Sequence, residues 1–275
     1  MSSMAVADRS GLAALRTRSR KGVETGGNLV VLGVEALVAV ATDIVQRRFS
    51  WSEFMLQAWF MTRVSLLPTI LVAIPFGVII SVQIGAVASQ VGATSFMGAV
   101  NGIGILRQAA PLVTSLMIAG AVGSAICSDL GARTVREEID ALRVMGISPV
   151  QRLVAPRVLA ALVVALLLTV IVAMTAMITA YVLNVGGGTV SSGAYQDSFV
   201  AFSQPMDFAL AEFKALVFGF IATIVAAHKG LNATGGPKGV ADAVNQAVVL
   251  SVILLALANV VITQAYVMLM PQGMG

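Results

Sequence analysis

Long, unbroken runs of apolar residues dominate this chain, and polar residues gather in the segments between them. Four runs reach the length of about 20 residues that a helix needs to cross the hydrocarbon core of a bilayer. They cover residues 64–83, 106–126, 153–183 and 243–269. A fifth run, 213–227, is shorter but reaches span length if its first turn includes Leu210. Because apolar and polar positions do not alternate within the runs, the pattern predicts spanning helices and not a β-barrel.

Lysine and arginine lie in alternate connecting segments of the predicted spans. The segment between the third and fourth spans, 184–207, contains Asp197 and Asp207 and neither lysine nor arginine. Basic residues occur before the first span, after the second and after the fourth, namely Arg9, Arg16, Arg18, Arg20, Lys21, Arg47, Arg48, Arg133, Arg136, Arg143, Arg152, Arg157, Lys229 and Lys238. Since basic loops stay on the cytoplasmic side, we expect a multi-pass protein of the cytoplasmic (inner) membrane with a cytoplasmic N-terminus. The net charge of +4 is therefore a topological signal and predicts no nucleic-acid partner.

The N-terminal segment, 1–62, differs in character from the five-span region, 63–275. Its apolar run, 29–41, follows basic residues and imitates a signal peptide. Glu35 within the run and Asp43 after it argue against a cleaved segment. We therefore predict an interfacial helix that lies along the cytoplasmic leaflet and adjoins the water boundary marked by two tryptophans, Trp51 and Trp59.

The amino-acid composition agrees with a protein whose helices are surrounded by lipid. Of the 275 residues, 58% are hydrophobic and 11% are charged, and the mean hydropathy is +0.93, whereas soluble domains carry roughly 25% charged residues. A single cysteine, Cys127, and a single histidine, His228, offer little for a disulfide, a metal site or histidine-based catalysis. No HExxH or GxSxG motif occurs. We expect no cofactor, no metal and no enzymatic activity of its own.

The loop after the second predicted span contains signals for a short amphipathic helix. Thr134 and Glu137 form a capping-box signature, and Gly146 followed by Pro149 provides a C-terminal stop. Between them the pattern predicts about three helical turns over 135–145, with an apolar face of Val135, Ile139, Leu142 and Met145. Such a helix either rests on the bilayer surface or docks in the groove of a soluble partner, and the residues alone leave both uses open.

The polar face of this predicted helix can pair its own charges. Arg136 lies four residues before Asp140, and Arg143 lies three residues after it. Opposite charges at these spacings are neighbours on a helix surface. Ion pairs between Asp140 and both arginines are therefore expected.

The second predicted span carries small residues and a charge. Small residues lie four positions apart in three pairs, Ala119 with Gly123, Gly120 with Ser124, and Ala121 with Ala125. This spacing lets helix backbones approach closely, either within the chain or at a seam between subunits. Arg107 and Gln108 stand at the outer end of the apolar run, where an arginine has a functional partner or extends to the interface.

The segment 119–149 resembles a known family of membrane proteins. It reads AGAVGSA at 119–125, DLG at 129–131 and EEIDALRVMGISP at 137–149. These residues closely resemble the MlaE/YrbE family of ABC transporter permeases, whose members carry E-[QE]-I-D-A-L-x-x-[ML]-G followed by a proline. The resemblance extends from about Arg63 to the last span and includes Lys214, Phe218-Gly219 and Lys229-Gly230. Within this family the chain resembles actinobacterial YrbE subunits of Mce lipid-transport systems.

This resemblance implies an all-α integral membrane fold with an N-terminal interfacial elbow helix and five transmembrane helices, acting as a dimer. It implies that 134–146 is a coupling helix that contacts a separate cytoplasmic ATPase, which hydrolyses the ATP. The implied coupling residues are Arg136, Glu137, Glu138, Ile139, Asp140, Leu142, Arg143, Met145 and Gly146. The implied cargo is a fatty acid, a phospholipid or a sterol, exchanged with extracytoplasmic Mce proteins. Our lipid-pathway candidates are Leu71, Ile74, Val78, Val82, Arg107 and Gln108.

The chain departs from the family pattern at two places. It reads Arg107-Gln108-Ala109-Ala110-Pro111 where the family commonly has Arg-Glu-Leu-Gly-Pro, and Ala121 stands where an arginine is common. The missing charges favour a second YrbE-type permease that is a paralogue and supplies them. The alternative function, a secondary transporter or channel for a small solute, would usually show charges near the middle of its spans.

Overall fold

The computed structural model describes residues 2–47 and 49–269, and their side chains from Glu24 onward. Within these ranges the chain is helical and contains no strand, which confirms the predicted all-α class. The α-helices are α1 Ser2–Val45, α2 Trp51–Gln90, α3 Met97–Gly104, α4 Ala110–Met117, α5 Gly123–Val135, α6 Glu138–Val144, α7 Ala155–Gly186, α8 Ser192–Phe202, α9 Pro205–Leu231 and α10 Gly236–Leu269.

Six stretches of the described chain are helical, long and apolar enough to cross a membrane. They are Glu24–Val45, Trp51–Gln90, Thr94–Val135, Val150–Gly186, Pro205–Leu231 and Gly236–Leu269. Five of them contain the five predicted spans, and each is longer than the apolar run that predicted it. The helices continue past the apolar runs because their backbone hydrogen bonds do not depend on apolar side chains.

The contacts of α1 place it across one end of the helix bundle. Near the start of the apolar part of α1, Glu24–Val45, Gly26 and Leu29 line a pocket with Lys229 at the end of α9. Near its other end, Asp43 accepts a hydrogen bond from Gln151, just before α7. Both ends of this part of α1, residues 26–43, therefore lie beside the same end of the bundle, whereas a spanning segment would join opposite ends. This arrangement agrees with the predicted interfacial elbow helix.

Helices α2 and α7 run in the same direction and approach each other closely. The buried side of α2 is formed by small side chains four residues apart, including Ala73, Gly77 and Ser81. A Cβ atom at Gly77 would lie 2.8 Å from the backbone oxygen of Ala176. The side-chain amide of Asn184 donates to Ser81 one turn further along. Small residues at this spacing permit such close packing in membranes.

The helices α3, α4 and α5 form one continuous rod with two π-helical interruptions, Ile105–Ala109 and Ile118–Val122. A third π segment, Val150–Val154, precedes α7. Each π turn inserts an extra residue into the helix and shifts the faces of the segments that follow it. The rod packs against α9, where a Cβ atom at Gly230 would lie 2.9 Å from the Cys127 backbone oxygen. These contacts fix the positions of α5 and α6.

Candidate functional site

Helix α6 is short, and defined backbone turns hold both of its ends. Two residues, Arg136 and Glu137, separate it from α5. Glu137 takes a left-handed backbone conformation with a φ of 61°, so the chain changes direction sharply there. At the other end, the Ile147 amide donates to the Leu142 carbonyl over 2.9 Å. With the Gly146 amide bound to the Arg143 carbonyl over 3.0 Å, this is a Schellman motif.

Two details of the predicted helix differ from the structure. The capping box is wrong, because Thr134 lies within α5 and its hydroxyl donates to the carbonyls of Leu130 and Gly230, over 2.9 and 3.1 Å. Its hydroxyl is thus used to join α5 to α9 and does not cap α6. Helix α6 has seven residues, Glu138–Val144, where the pattern predicts 135–145. The left-handed stop at Gly146 is present, with a φ of 74°.

The apolar side chains around α6 are divided between the permease core and its surface. Ile139 is buried in the hydrophobic core of the chain, and Leu142 is half-buried against the same core. Val144 is 90% exposed and Met145 is 63% exposed, and Ile147 is exposed beside them. The predicted face of Val135, Ile139, Leu142 and Met145 is therefore not one free surface. We call Val144, Met145 and Ile147 the α6 tip.

The charges on α6 form one of the two predicted ion pairs. The Arg143 guanidinium lies 3.0 Å from the Asp140 carboxylate, as its spacing predicts. Arg136 pairs instead with Glu138, with Nε 3.0 Å from Oε1. It precedes the start of α6 and is not on its surface, so the expected spacing of four residues to Asp140 does not apply.

A chain of charged side chains connects α6 to the start of α7. Arg133 on α5 lies 3.6 Å from Glu138 and 3.4 Å from Asp129. Asp129 in turn accepts a hydrogen bond from Arg157 on α7. Arg157 is completely buried and also donates to the Leu153 carbonyl over 2.6 Å. Asp129 and Arg157 were not among the site residues predicted from the sequence, although a charge at the start of an apolar run was a usable signal.

A second polar cluster lies in the outer half of the bundle. The Arg107 Nε atom lies 2.6 Å from the carboxylate of Asp207, which is fully buried. The arginine also lies over the Tyr266 ring, 5.7 Å from its centroid. Arg107 was expected at the outer end of its span, but that helix begins at Met97, so Arg107 lies about three turns inside it. The apolar run begins later than the helix because 97–105 is rich in glycine.

Lys214 joins three helices within this cluster. Its side chain is completely buried, and its Nζ atom donates to the Arg107 carbonyl over 3.0 Å and to Thr263 Oγ1 over 2.9 Å. Pro111 has no N–H group with which to bond the Arg107 carbonyl four residues before it. The ammonium of Lys214 provides a donor to this carbonyl, and it thereby connects the α3–α5 rod, α9 and α10.

Two further polar residues of this region have a different environment. Gln108 is exposed on the helix surface. Both carboxylate oxygens of Glu212 are buried, and within the described chain neither has a hydrogen-bond partner. An unpaired buried carboxylate is unfavourable, so a second molecule that supplied a donor would stabilise it.

The small residues of the second predicted span, 119–125, face two different environments. Ala119 and Gly123 are buried, and a Cβ atom at Gly123 would lie 3.9 Å from Ala226 of α9. This pair therefore serves a contact within the chain. Ala121, Ser124 and Ala125 border an open cleft of about 570 Å³ between α2 and α10, here called the α5 cleft, whose walls also include Val64, Val240 and Val244.

The lipid-pathway candidates of α2 are not grouped with those of the second span. Leu71, Ile74 and Val82 are exposed, and Val78 is half-buried, on the side of α2 away from its packing against α7. Arg107 is instead grouped with Asp207 and Lys214. The pathway role of all these residues remains a prediction. Within the described residues there is no cluster of three or more histidine, cysteine or acidic side chains that could hold a metal ion.

Comparison with known proteins adds independent information. A family model described as "Permease MlaE" matches residues 54–265. A probable ABC transporter permease protein of Synechocystis is 34% identical over 190 residues, which cover 66% of this chain and 70% of that protein. The chloroplastic protein TRIGALACTOSYLDIACYLGLYCEROL 1 of Arabidopsis thaliana is 30% identical over 190 residues, or 69% of this chain and 54% of that protein. A probable ABC transporter permease protein of Rickettsia bellii is 29% identical over 229 residues, which cover 83% and 88% of the two chains.

Proposed function

The chain belongs to the MlaE family of ABC transporter permeases, and from this premise we propose that it moves lipids or other hydrophobic molecules across the cell envelope, driven by separate ATPase subunits that bind at α6. The observation that carries the proposal is the α6 tip. Its side chains Val144 and Met145 are exposed at one end of the bundle, within the segment that resembles the family's coupling helix. The chain itself is the non-catalytic subunit of such a transporter.

The α6 tip has the chemistry of a docking surface for a soluble protein. When the groove of a partner covers apolar side chains that were exposed to water, the free energy of the complex is lowered. The Asp140–Arg143 pair borders this tip and supplies polar contacts that would fix the orientation of the partner. Below the tip, Glu138 leads through Arg133 and Asp129 to Arg157. We infer that movement of the ATPase reaches α7 along this connection.

The cargo proposal rests on the apolar character of the membrane region. The walls of the α5 cleft are mostly valine, alanine and serine, with Pro237 and Asn245, between two spanning helices. Each methylene that such a wall removes from water contributes about 0.8 kcal/mol, which suits acyl chains or sterols. The name of the Arabidopsis relative contains that of a glycolipid, trigalactosyldiacylglycerol. This supports a glycerolipid cargo. Exchange of that cargo with extracytoplasmic Mce proteins is proposed from the family resemblance alone.

We further propose that the functional dimer pairs this chain with a paralogous permease. Two charges common in the family are replaced here by Gln108 and Ala121. Ala121 borders the open α5 cleft, where a second permease has room to pack. The buried Glu212 carboxylate, without a partner among the described residues, suits a donor group supplied by the other subunit. A paralogue can supply such groups where an identical copy cannot.

The proposed location is the cytoplasmic membrane with the α6 end inside. Support comes from Arg133, Arg136, Arg143 and Arg152, which cluster around α6, while the opposite connection contains α8 and no lysine or arginine. In this orientation the N-terminus is also cytoplasmic, because α1 lies across the same end of the bundle.

The test is purification of the tagged chain from its native membrane in mild detergent, followed by mass spectrometry of bound proteins and lipids. We expect an ATPase, a second permease, Mce proteins and a bound lipid class. ATP-dependent lipid transfer by the reconstituted complex would then establish the activity. Recovery of the chain alone, with solute flux that needs no ATP, would contradict the proposal and favour a secondary transporter or channel.

A further inference from the structure

Two adjoining pockets between α1 and the pair α9–α10 form one continuous groove. The first has a volume of about 430 Å³ and lies between Leu37 of α1 and Phe220 of α9. The second, of about 620 Å³, extends to Lys229 and Gln246. The two pockets share Gly26, Leu29 and Leu254, so one ligand can occupy both. We call these two pockets together the α1 groove.

Two glycines of α1 determine the shape of this groove. A Cβ atom at Gly33 would lie 3.2 Å from the Phe220 ring, so α1 is in close contact with α9 there. At Gly26 a Cβ atom would meet nothing within 4 Å. The absence of a side chain at Gly26 therefore leaves the space that joins the two pockets.

The α1 groove is amphipathic along its length. Its first pocket is lined by glycine and apolar residues, whereas the second ends at Lys229, Asn245 and Gln246. Phe220 and Lys229 lie on the same helix, about 14 Å apart along its axis. The Lys229 ammonium donates to Gln246 Oε1 over 3.0 Å, which uses one of its three donors. Asp242 lines a different, polar pocket with Lys229 and is not part of the groove.

We propose that the α1 groove binds one anionic phospholipid of the cytoplasmic leaflet, with its phosphate at Lys229 and an acyl chain between α1 and α9. An apolar channel with a single cationic end matches a phospholipid molecule in both size and polarity. A free phosphate ion would contact Lys229 but would gain nothing from the apolar part. The sequence segment 16–21, which precedes the groove along the chain, is rich in basic residues, a composition that favours anionic headgroups.

This site differs from the proposed transport pathway. The α5 cleft lies between α2 and α10, whereas the α1 groove lies between α1 and α9–α10. The lipid bound there would fasten the elbow helix to the bundle, and the site requires neither an ATPase nor a second permease. Its failure would therefore leave the transport proposal unaffected.

The headgroup contact is tested by native mass spectrometry of the purified full-length chain, titrated in detergent with phosphatidylglycerol or phosphatidylcholine. We expect Lys229→Gln to weaken phosphatidylglycerol binding about fivefold, which corresponds to about 1 kcal/mol. Phosphatidylcholine has the same phosphate but also a compensating choline cation, so its binding should fall less than that of phosphatidylglycerol. Lys238→Gln removes a lysine of the neighbouring turn that lies outside the groove, and it should behave as wild type. Equal binding of both lipids by the wild type, or no effect of Lys229→Gln, would overturn the proposal.

The acyl-chain contact has its own matched pair of variants. Gly26→Phe fills the space that joins the two pockets and should weaken binding of both lipids. Gly27→Phe adds the same ring one residue away, also where a Cβ atom meets nothing within 4 Å, and should leave binding unchanged. If Gly26→Phe binds phosphatidylglycerol as wild type does, the lipid does not occupy the groove and the proposal is wrong.

Discussion

The most direct test of the α6 tip is the substitution Val144→Asp. Val144 is 90% exposed in the isolated chain, so its side chain contributes little to the stability of the permease. We expect the free energy of unfolding to change by no more than about 0.5 kcal/mol, as is usual for exposed positions. In the complex, full burial of a valine side chain contributes about 1.5–3 kcal/mol. A carboxylate in the same pocket also has to be desolvated.

The affinity for the ATPase should therefore fall at least about tenfold, the change that corresponds to 1.4 kcal/mol. The measurement is the amount of ATPase that co-purifies with the tagged permease, followed by ATP-dependent lipid transfer in proteoliposomes. Leu142 is less suitable, because it is half-buried against the core of its own chain.

Val45→Asp is the matched control for this experiment. Val45 is 81% exposed and ends α1, at the same end of the bundle as α6 but outside the α6 tip. This variant should retain the ATPase and transport activity. If Val144→Asp co-purifies with wild-type amounts of ATPase and transports at the wild-type rate, the α6 tip is not the docking surface.

Three further predictions concern the stability of the purified chain in detergent, measured by thermal unfolding. Lys214→Ala removes two hydrogen bonds of a charged donor and should cost about 3–6 kcal/mol, at about 1.5–3 kcal/mol for each. Arg157→Ala removes the bond to Asp129, which is 35% exposed and keeps Arg133 nearby, and should cost about 1.5–3 kcal/mol; a neutral result would contradict a tight pair. Gly77→Ala places a methyl group 2.8 Å from a backbone oxygen of α7 and should cost about 1–3 kcal/mol, whereas Gly120→Ala, with nothing within 4 Å, should be neutral.

The spanning helices could be predicted because lipid restricts what an apolar run can form. A run such as 153–183 has no alternative to a helix in a bilayer, so its existence and approximate position follow directly. The helix ends do not follow, since α7 extends to Gly186 and a π segment begins before it at Val150. Glycine and small polar residues continue a helix when neighbouring helices pack against it. The local pattern of a single sequence contains no information about that packing.

The polar clusters illustrate a second limit. Arg107 could be identified from its position in an apolar run, but its partner Asp207 lies 100 residues away in the sequence. Pairing at that separation depends on how α9 packs against the rod, which no local pattern specifies. The same reasoning applies to Thr134, whose spacing to Glu137 imitates a cap although its hydroxyl bonds to α9. Local signals located α6 correctly and placed its first residue wrongly.

The two-residue connection between α5 and α6 has a mechanical consequence. The amides of Arg136, Glu137 and Ala141 are all hydrogen-bonded to carbonyls of the preceding turn. These bonds restrict the backbone conformation of the junction. The left-handed backbone of Glu137 sets the angle between the two helices, and Ile139 fastens the short arm to the core. A force applied to α6 is therefore transmitted to α5 through a rigid bend and is not absorbed by a flexible connection. We expect a displacement of α6 to reach α5 through this bend, and α7 through the bond between Asp129 and the buried Arg157.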